Sequence, residues 1–109
     1  MTTPRDTLIE ARELISDESR WTQNSYARDA NDKPVTPYST AACRWCAMGA
    51  IEYVGELSTD TDDAQIALSA AALKQFTMAP AAVNDRLGHH SVLAMFDTAI
   101  DKLTPEDEG

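Results

Sequence analysis

Five prolines divide this chain into segments, and each limits the local backbone because its ring fixes φ and removes a backbone N–H. They are Pro4, Pro34, Pro37, Pro80 and Pro105. Proline is tolerated at the first position of a helix, so Pro4 and Pro80 predict helix starts, and Pro105 predicts the end of the last helix. Pro34 and Pro37 fall in a segment without helical periodicity, so we expect irregular or extended structure there.

Between these breaks, apolar residues recur at the three-to-four spacing of amphipathic helices. The pattern predicts helices over 4–17, 40–54 and 89–103. A further helix is expected to begin in the acidic run at 59–63 and to continue to Phe76, because carboxylates complement the positive end of the helix dipole. A short helical turn is expected after Pro80 and before Gly88.

The first helix carries its own start signal. Thr3 precedes Pro4, and Asp6 follows three residues after Thr3, which is close to the capping-box pattern. We therefore expect Thr3 to be the N-cap of this helix.

The second helix, at 40–54, is predicted to be the buried one. Only Arg44 and Glu52 are charged within it, so most of its surface is apolar. Ser39 or Thr40 would cap its start and Gly55 would end it. Small side chains would form a stripe that lets another helix approach closely: Ala42, Cys46, Gly49 and Ala50.

The segment before this helix reads as a small β-hairpin or an extended loop. Extended pieces at 26–29 and 33–36 flank an Ala-Asn-Asp-Lys turn. Pro34 limits the second piece to an edge strand. Trp21 and Tyr26 are expected to anchor the segment to the core.

Taken together, these elements predict a mainly α fold, a small bundle of about four helices with one short β-hairpin or extended loop near 21–37. Residues 1–104 are expected to form one helical domain, with 105–109 as a disordered acidic tail. We expect no association with a membrane, because no run approaches the roughly 18 apolar residues of a membrane span. The N-terminus lacks a secretory pattern, so a cytoplasmic location and free thiols are expected.

Charge is unevenly placed along the chain. The net charge is −9, and residues 51–109 hold eleven of the 18 acidic residues but three of the 9 basic ones. An acidic half repels phosphates, which disfavours direct binding of nucleic acid and favours a basic protein partner. Self-association is left open. The candidate partner-binding residues are Asp60, Asp62, Asp63, Asp97 and Asp101.

The two cysteines, Cys43 and Cys46, have the spacing of zinc ligands. A zinc site would require two more ligands, for which His89 and His90 are the candidates. However, the flanking alanines and Met-Gly favour a helix rather than a zinc knuckle, so no metal or other cofactor is expected. A thioredoxin-type redox pair would require a preceding strand in a βαβ unit, and the sequence shows no such alternation.

A cysteine-dependent hydrolase or transferase is the enzymatic alternative. Cys46 would be the nucleophile and His89 the base, with Asn84 or Asp85 orienting the imidazole. Against it, Cys46 falls on the small-residue stripe, where a free cysteine acts as a compact apolar group, and no glycine-rich turn offers an oxyanion hole. An Asn-Asp pair before a glycine is also typical of a turn held by its own side chains.

Three stretches of the chain resemble a family of small uncharacterised bacterial and phage proteins. They are "RWCAMGAI" at 44–51, "VNDRLGHHSVLAMFDTAI" at 83–100 and the opening "ARELISDESRWTQNSYARDANDKPV". The resemblance implies a fold and a bacterial or phage setting, and it implies no activity. Cys43 is outside the family's pattern. The residues that match it are Cys46, Gly49, Ala50, Asn84, Asp85 and His89.

These observations favour a non-catalytic function over an enzymatic one. The leading interpretation is an acidic, cytoplasmic protein-interaction module, for example a phage-encoded accessory or inhibitor protein that binds a host protein. The alternative is the small enzyme that uses Cys46 and His89.

Overall fold

The computed structural model describes residues 3–56 and 59–103, and helix predominates in this part of the chain, as predicted. The five α-helices found there, rather than about four, are α1 (Pro4–Leu14), α2 (Ala47–Gly55), α3 (Thr59–Phe76), α4 (Pro80–Arg86) and α5 (His89–Lys102). A 3₁₀ turn at Glu18–Arg20 follows α1. The three strands are β1 (Ala27–Arg28), β2 (Pro34–Val35) and β3 (Arg44–Trp45). The predicted tail at 105–109 lies outside the described residues, so it stays a prediction.

The start of α1 follows from its capping residues. The Thr3 hydroxyl accepts a hydrogen bond from the Asp6 backbone N–H at 3.1 Å, and the Asp6 carboxylate accepts one from the Thr3 N–H at 3.2 Å. This is the expected capping box, with Pro4 at the first helical position. The helix ends at Leu14, before the predicted end at residue 17, because Asp17 instead caps the 3₁₀ turn by accepting from the Ser19 N–H.

The predicted hairpin is present, and a third strand extends it into a sheet of order β2-β1-β3 with antiparallel pairing. Ala27 lies opposite Val35 on one side and opposite Trp45 on the other. Pro34 lies in the edge strand β2, where the N–H that proline lacks is not needed for pairing with β1. Trp21 packs against the core as expected, but the prediction for Tyr26 is wrong, since its side chain is 55% exposed.

The predicted start of the second helix is wrong. Residues 40–46 are not helical, and α2 begins at Ala47. The Cys43 N–H donates to the Arg28 carbonyl at 2.9 Å, and the Cys46 N–H donates to the Tyr26 carbonyl at 3.1 Å. Pairing with β1 therefore holds this segment extended, although its small residues have helical spacing. The predicted stripe of small residues is not formed, because Ala42 and Cys46 precede the helix.

The core lies between the helices, with one side of α3 and α5 facing it. Its largest fully buried side chains include Leu8, Ile15, Ile51, Leu68 and Phe96. No single described helix is long and apolar enough to cross a membrane. Taken as a pair, α3 from Asp60 onward and α4 meet that criterion by length and composition alone, with a bend of 58° between them.

Candidate binding pocket at Cys46

The Cys-Arg-Trp-Cys stretch is a strand that leads into a helix N-terminus, not the helical turn that its composition suggests. Cys43 is exposed and precedes β3. Cys46 is the N-cap of α2, and its Sγ accepts a hydrogen bond from the Gly49 N–H at 3.3 Å. The thiol therefore serves as the cap acceptor that serine or aspartate provides in most helices.

Cys46 also faces a cavity of about 250 Å³. Residues 24–26, just before β1, form one wall, and Cys46 and Met48 at the start of α2 form another. The third wall comes from α4, with Ala81, Asn84 and Asp85. Three segments that are distant in sequence thus meet at one pocket.

The Cys46 thiol is poorly suited to be a nucleophile. Burial raises its pKa above the ordinary value of 9.0, and the nearby carboxylates of Asp85 and Glu52 raise it further. Hydrogen bonds from the backbone of Gly49 and Met48 act in the opposite direction without reversing the shift. Because the thiolate is the reactive form, a thiol that keeps its proton near neutral pH is weakly nucleophilic.

Asn84 is the polar centre of the pocket floor, and it is buried. Its Oδ1 accepts from the indole Nε1 of Trp21 at 2.7 Å and from the Ala47 N–H at 3.0 Å. Its Nδ2 donates to the Thr22 carbonyl at 3.0 Å and to Asp85 Oδ1 at 2.9 Å. The amide thereby uses both of its donors and both lone pairs of its oxygen, so Asn84 holds three segments together.

Asp85 connects the same helix to the loop before β1. Its Oδ1 accepts from the Asn24 N–H at 2.8 Å, where Asn24 has a left-handed backbone with φ of 65°. The Gln23 side-chain amide donates to the carbonyls of Asn84 and Asp85 at 3.0 and 3.3 Å. Asp85 is nevertheless exposed, so it is accessible to solvent at the pocket.

His89 lies outside the pocket lining. Its Nε2 is 2.6 Å from the Ile15 carbonyl oxygen, to which it donates, and its ring lies 5.3 Å from the Trp21 ring between centroids. The structure thus brings Cys46, Asn84 and Asp85 together and holds His89 against the end of α1. His90 is exposed on the first turn of α5.

Five residues of the pocket lining were not predicted as site residues, and Tyr26 and Met48 are the largest of them. An isolated tyrosine in a turn-rich segment and a methionine in an apolar helix carry no distinctive spacing, so no sequence signal marked them. Tyr26 also lines a second cavity of about 350 Å³, together with Ser25 and with residues 34–37 at the sheet edge.

The remaining candidates do not converge on the pocket. Within 3–56 and 59–103, no group of three or more His, Cys, Asp or Glu side chains is placed to hold a metal ion. Asp97 pairs with Arg12, with 2.7 Å between the carboxylate oxygen and Nε. Asp60, Asp62 and Asp63 lie in the first turns of α3, and Asp101 is exposed on α5.

Comparison with known proteins adds a family but no activity. No curated protein and no solved structure matches the chain. A family model with the description "Family of unknown function (DUF6197)" matches residues 1–102. The expected resemblance to a family of uncharacterised proteins is confirmed, and its bacterial or phage setting stays a prediction. Since the match covers almost the whole length, the chain belongs to the DUF6197 family of unknown function.

Proposed function

We propose that this chain is a non-catalytic protein-interaction module whose Cys46 pocket accepts a cationic side chain, lysine or arginine, of a partner protein. The observation that carries the proposal is that Asp85, a carboxylate, and Tyr26, an aromatic residue, are both exposed and line the same pocket. A carboxylate and an aromatic face are the two groups that attract an ammonium or guanidinium most directly.

Two apolar residues of the lining suit the aliphatic part of a lysine or arginine side chain. The Met48 thioether and the Ala81 methyl group are apolar neighbours for an aliphatic stem, and methionine adapts its shape to what it contacts. Among the described residues that line the pocket there is a carboxylate and no basic side chain. Glu52 is close enough to act on Cys46, which adds to the negative potential.

The neighbouring cavity favours a polypeptide over a small cation. The pocket and the second cavity share Ser25 and Tyr26, so these two residues separate adjacent depressions. A partner segment laid across Tyr26 would place one side chain in each cavity. The net charge of −9 supports a basic partner. The same proposal includes the biological role of the module, a phage-encoded accessory or inhibitor protein that binds a host protein.

The test uses capped amino acids as probes and backbone NMR shifts as the readout. N-acetyl-arginine amide and N-acetyl-lysine amide are expected to shift the amides of residues 24–26, Cys46 and Asp85. N-acetyl-citrulline amide has nearly the shape of the arginine probe without its charge, and it is expected to shift them far less.

Two matched variants identify the groups responsible. Asp85→Asn keeps an oxygen that accepts from Asn24 and Asn84, and it is expected to weaken binding of the arginine probe about tenfold or more. Asp101→Asn removes an exposed carboxylate elsewhere and should leave binding unchanged. Equal shifts with the citrulline probe, or full binding by Asp85→Asn, would overturn the proposal.

The cysteine-dependent enzyme remains a second candidate because Cys46, Asn84 and Asp85 line the same pocket. Cys46→Ser separates the two functions, since serine can cap α2 and retain the pocket but cannot replace a thiolate nucleophile. Unchanged binding of the arginine probe by Cys46→Ser is expected from the interaction module. Loss of the chain's function in its host with binding and melting temperature unchanged would instead favour the enzyme.

A further inference from the structure

The outward face of α3 carries apolar side chains that nothing in the described structure covers. Ile66 is 67% exposed and Leu73 is 59% exposed, and Ala70 lies between them and is also exposed. Because these residues follow the helical spacing of four and three, they form one stripe. The opposite side of α3 packs into the core through Ala64, Leu68, Ala71 and Ala72, so the stripe is directed away from the molecule.

Charges of opposite sign flank this stripe at its two ends. Asp63 lies near the start of α3 and Lys74 near its end, both exposed. They are about three helical turns apart, so they lie on the same side of the stripe. Lys102 of α5 lies beside this end of α3, where contact with the Lys74 side chain and the positive charge of Lys74 lower the pKa of Lys102. Two lysine side chains thus lie at this end of α3, in a chain whose net charge is −9.

We propose that the α3 stripe is an interface between two copies of this chain, with the two α3 helices packed antiparallel around a two-fold axis near Ala70. This arrangement places Ile66 of one copy beside Leu73 of the other, and the small Ala70 allows the helices to approach closely at the axis. In a two-fold antiparallel pair, residues on the same side of the stripe face each other, so Lys74 of each copy meets Asp63 of the other.

Charge complementarity identifies the occupant as a second copy. The positive end of α3 matches the negative end of an identical helix only when the two run in opposite directions, which also aligns their dipoles favourably. The Cys46 pocket uses none of these residues, so the inference is independent of the proposed function.

Charge reversal gives the sharpest test. Light scattering and sedimentation equilibrium are expected to show a dimer for the wild-type chain. Asp63→Lys brings two lysines together at each end of the interface, and Lys74→Asp brings two carboxylates together. Each variant alone is expected to dimerise at least about tenfold more weakly, since like charges across an interface are unfavourable.

Mixing the two variants restores the attraction. The lysine at position 63 of one variant faces the aspartate at position 74 of the other, and the wild-type Lys74 faces the wild-type Asp63. A mixture of the two folded variants is therefore expected to form a heterodimer of wild-type strength. Failure of the mixture to associate more strongly than either variant alone would contradict the interface.

Replacing an apolar residue of the stripe by serine covers the case in which a charge variant fails to fold. Ile66→Ser is expected to abolish dimerisation while it retains the helical circular dichroism of the wild type. Leu87→Ser removes another exposed apolar side chain, 42% exposed and outside α3, and is the matched control that should remain a dimer. A wild-type chain that is monomeric at every concentration, or a Leu87→Ser variant as monomeric as Ile66→Ser, would overturn the inference.

Discussion

At the scale of single residues, Asn84 shows how one side chain can hold a small fold together. Its amide is buried and joins the Trp21 indole, the Thr22 carbonyl and the Ala47 N–H, which belong to segments far apart in the chain. A buried polar group is costly only when it lacks partners, and here each of its hydrogen-bonding positions is used. The residue that the sequence offered as a catalytic orienter is thus fully engaged in structure.

We expect Asn84→Ala to lower the free energy of unfolding by about 2–4 kcal/mol, because it leaves the partly buried Trp21 N–H and the buried Ala47 N–H without an acceptor. Asn31→Ala, at an exposed turn position, should change it by less than about 0.5 kcal/mol. Urea denaturation of both variants is the measurement. An Asn84→Ala variant as stable as Asn31→Ala would show that the hydrogen bonds carry little of the stability.

The two thiols are expected to differ in reactivity. Cys43 is exposed and should react with a disulfide reagent in the native protein, whereas Cys46, with burial and carboxylates raising its pKa, should react much more slowly. Thiol titration of Cys43→Ser and Cys46→Ser measures each cysteine alone. Fast native labelling of Cys43→Ser would contradict the partly buried, protonated state of Cys46.

The same raised pKa predicts a pH dependence of stability. The unfolded chain ionises this thiol near its ordinary value of 9.0, and the folded protein ionises it at higher pH. The protonated thiol therefore contributes stability that is complete below pH 9.0 and is lost as the pH rises through the folded pKa. Urea denaturation at pH 8 and at higher pH should show a steeper loss for wild type than for Cys46→Ser, since the other titrating groups are shared.

At the scale of elements, the close approach of α2 to the strand segment before β1 depends on Gly49. A Cβ at this position would overlap the Tyr26 carbonyl. The same carbonyl accepts the Cys46 N–H, so it is fixed by the pairing that holds β3 extended. The start of α2 and the position of the Tyr26 backbone are thus determined together.

Gly49→Ala is expected to lower the free energy of unfolding by about 1–3 kcal/mol, because the added methyl forces α2 away from Tyr26. The sign of this change in the free energy of unfolding distinguishes the two cases, since an alanine in place of a helix-interior glycine ordinarily stabilises a protein by roughly 0.5–1 kcal/mol. Thermal melts and urea denaturation measure the effect. A stabilised Gly49→Ala variant would mean that the helix and the Tyr26 carbonyl are not in close contact.

At the scale of the whole molecule, side chains packed between the helices form one apolar core that stabilises the fold. Fully buried residues from four helices, such as Leu8, Ile51, Leu68 and Phe96, share one core. Both cysteines are free thiols, and the described residues contain no group of three or more metal-binding side chains. Burial of these apolar side chains is the main favourable contribution to folding.

We therefore expect a chelator to leave the melting temperature unchanged and the transition cooperative. A structural zinc contributes a large part of the folding free energy, so its removal could not pass unnoticed. Differential scanning calorimetry with and without EDTA, on protein assayed for zinc, is the measurement. A melting temperature that falls with EDTA and recovers with added zinc would implicate Cys43 and Cys46 as ligands.

The sequence by itself predicted the elements whose causes are local. The capping box at Thr3 and Asp6 begins α1, Pro80 begins α4, and the acidic first turn and alanine-rich run give α3. The hairpin followed from its turn and from Pro34 at the edge. In each case, the signal lies within a few residues of the structure that it specifies, so propensity and spacing were sufficient.

Only the tertiary structure decided what the Cys-Arg-Trp-Cys stretch does. Its residues have helical spacing, but hydrogen bonds to the backbone of Tyr26 and Arg28, distant in sequence, hold it extended and make Cys46 a cap. The sequence likewise nominated Asn84 as a site residue, whereas its burial and its four partners depend on where α4 packs. Strand pairing and burial are interactions between distant segments, and the spacing of residues along one segment does not specify its partner.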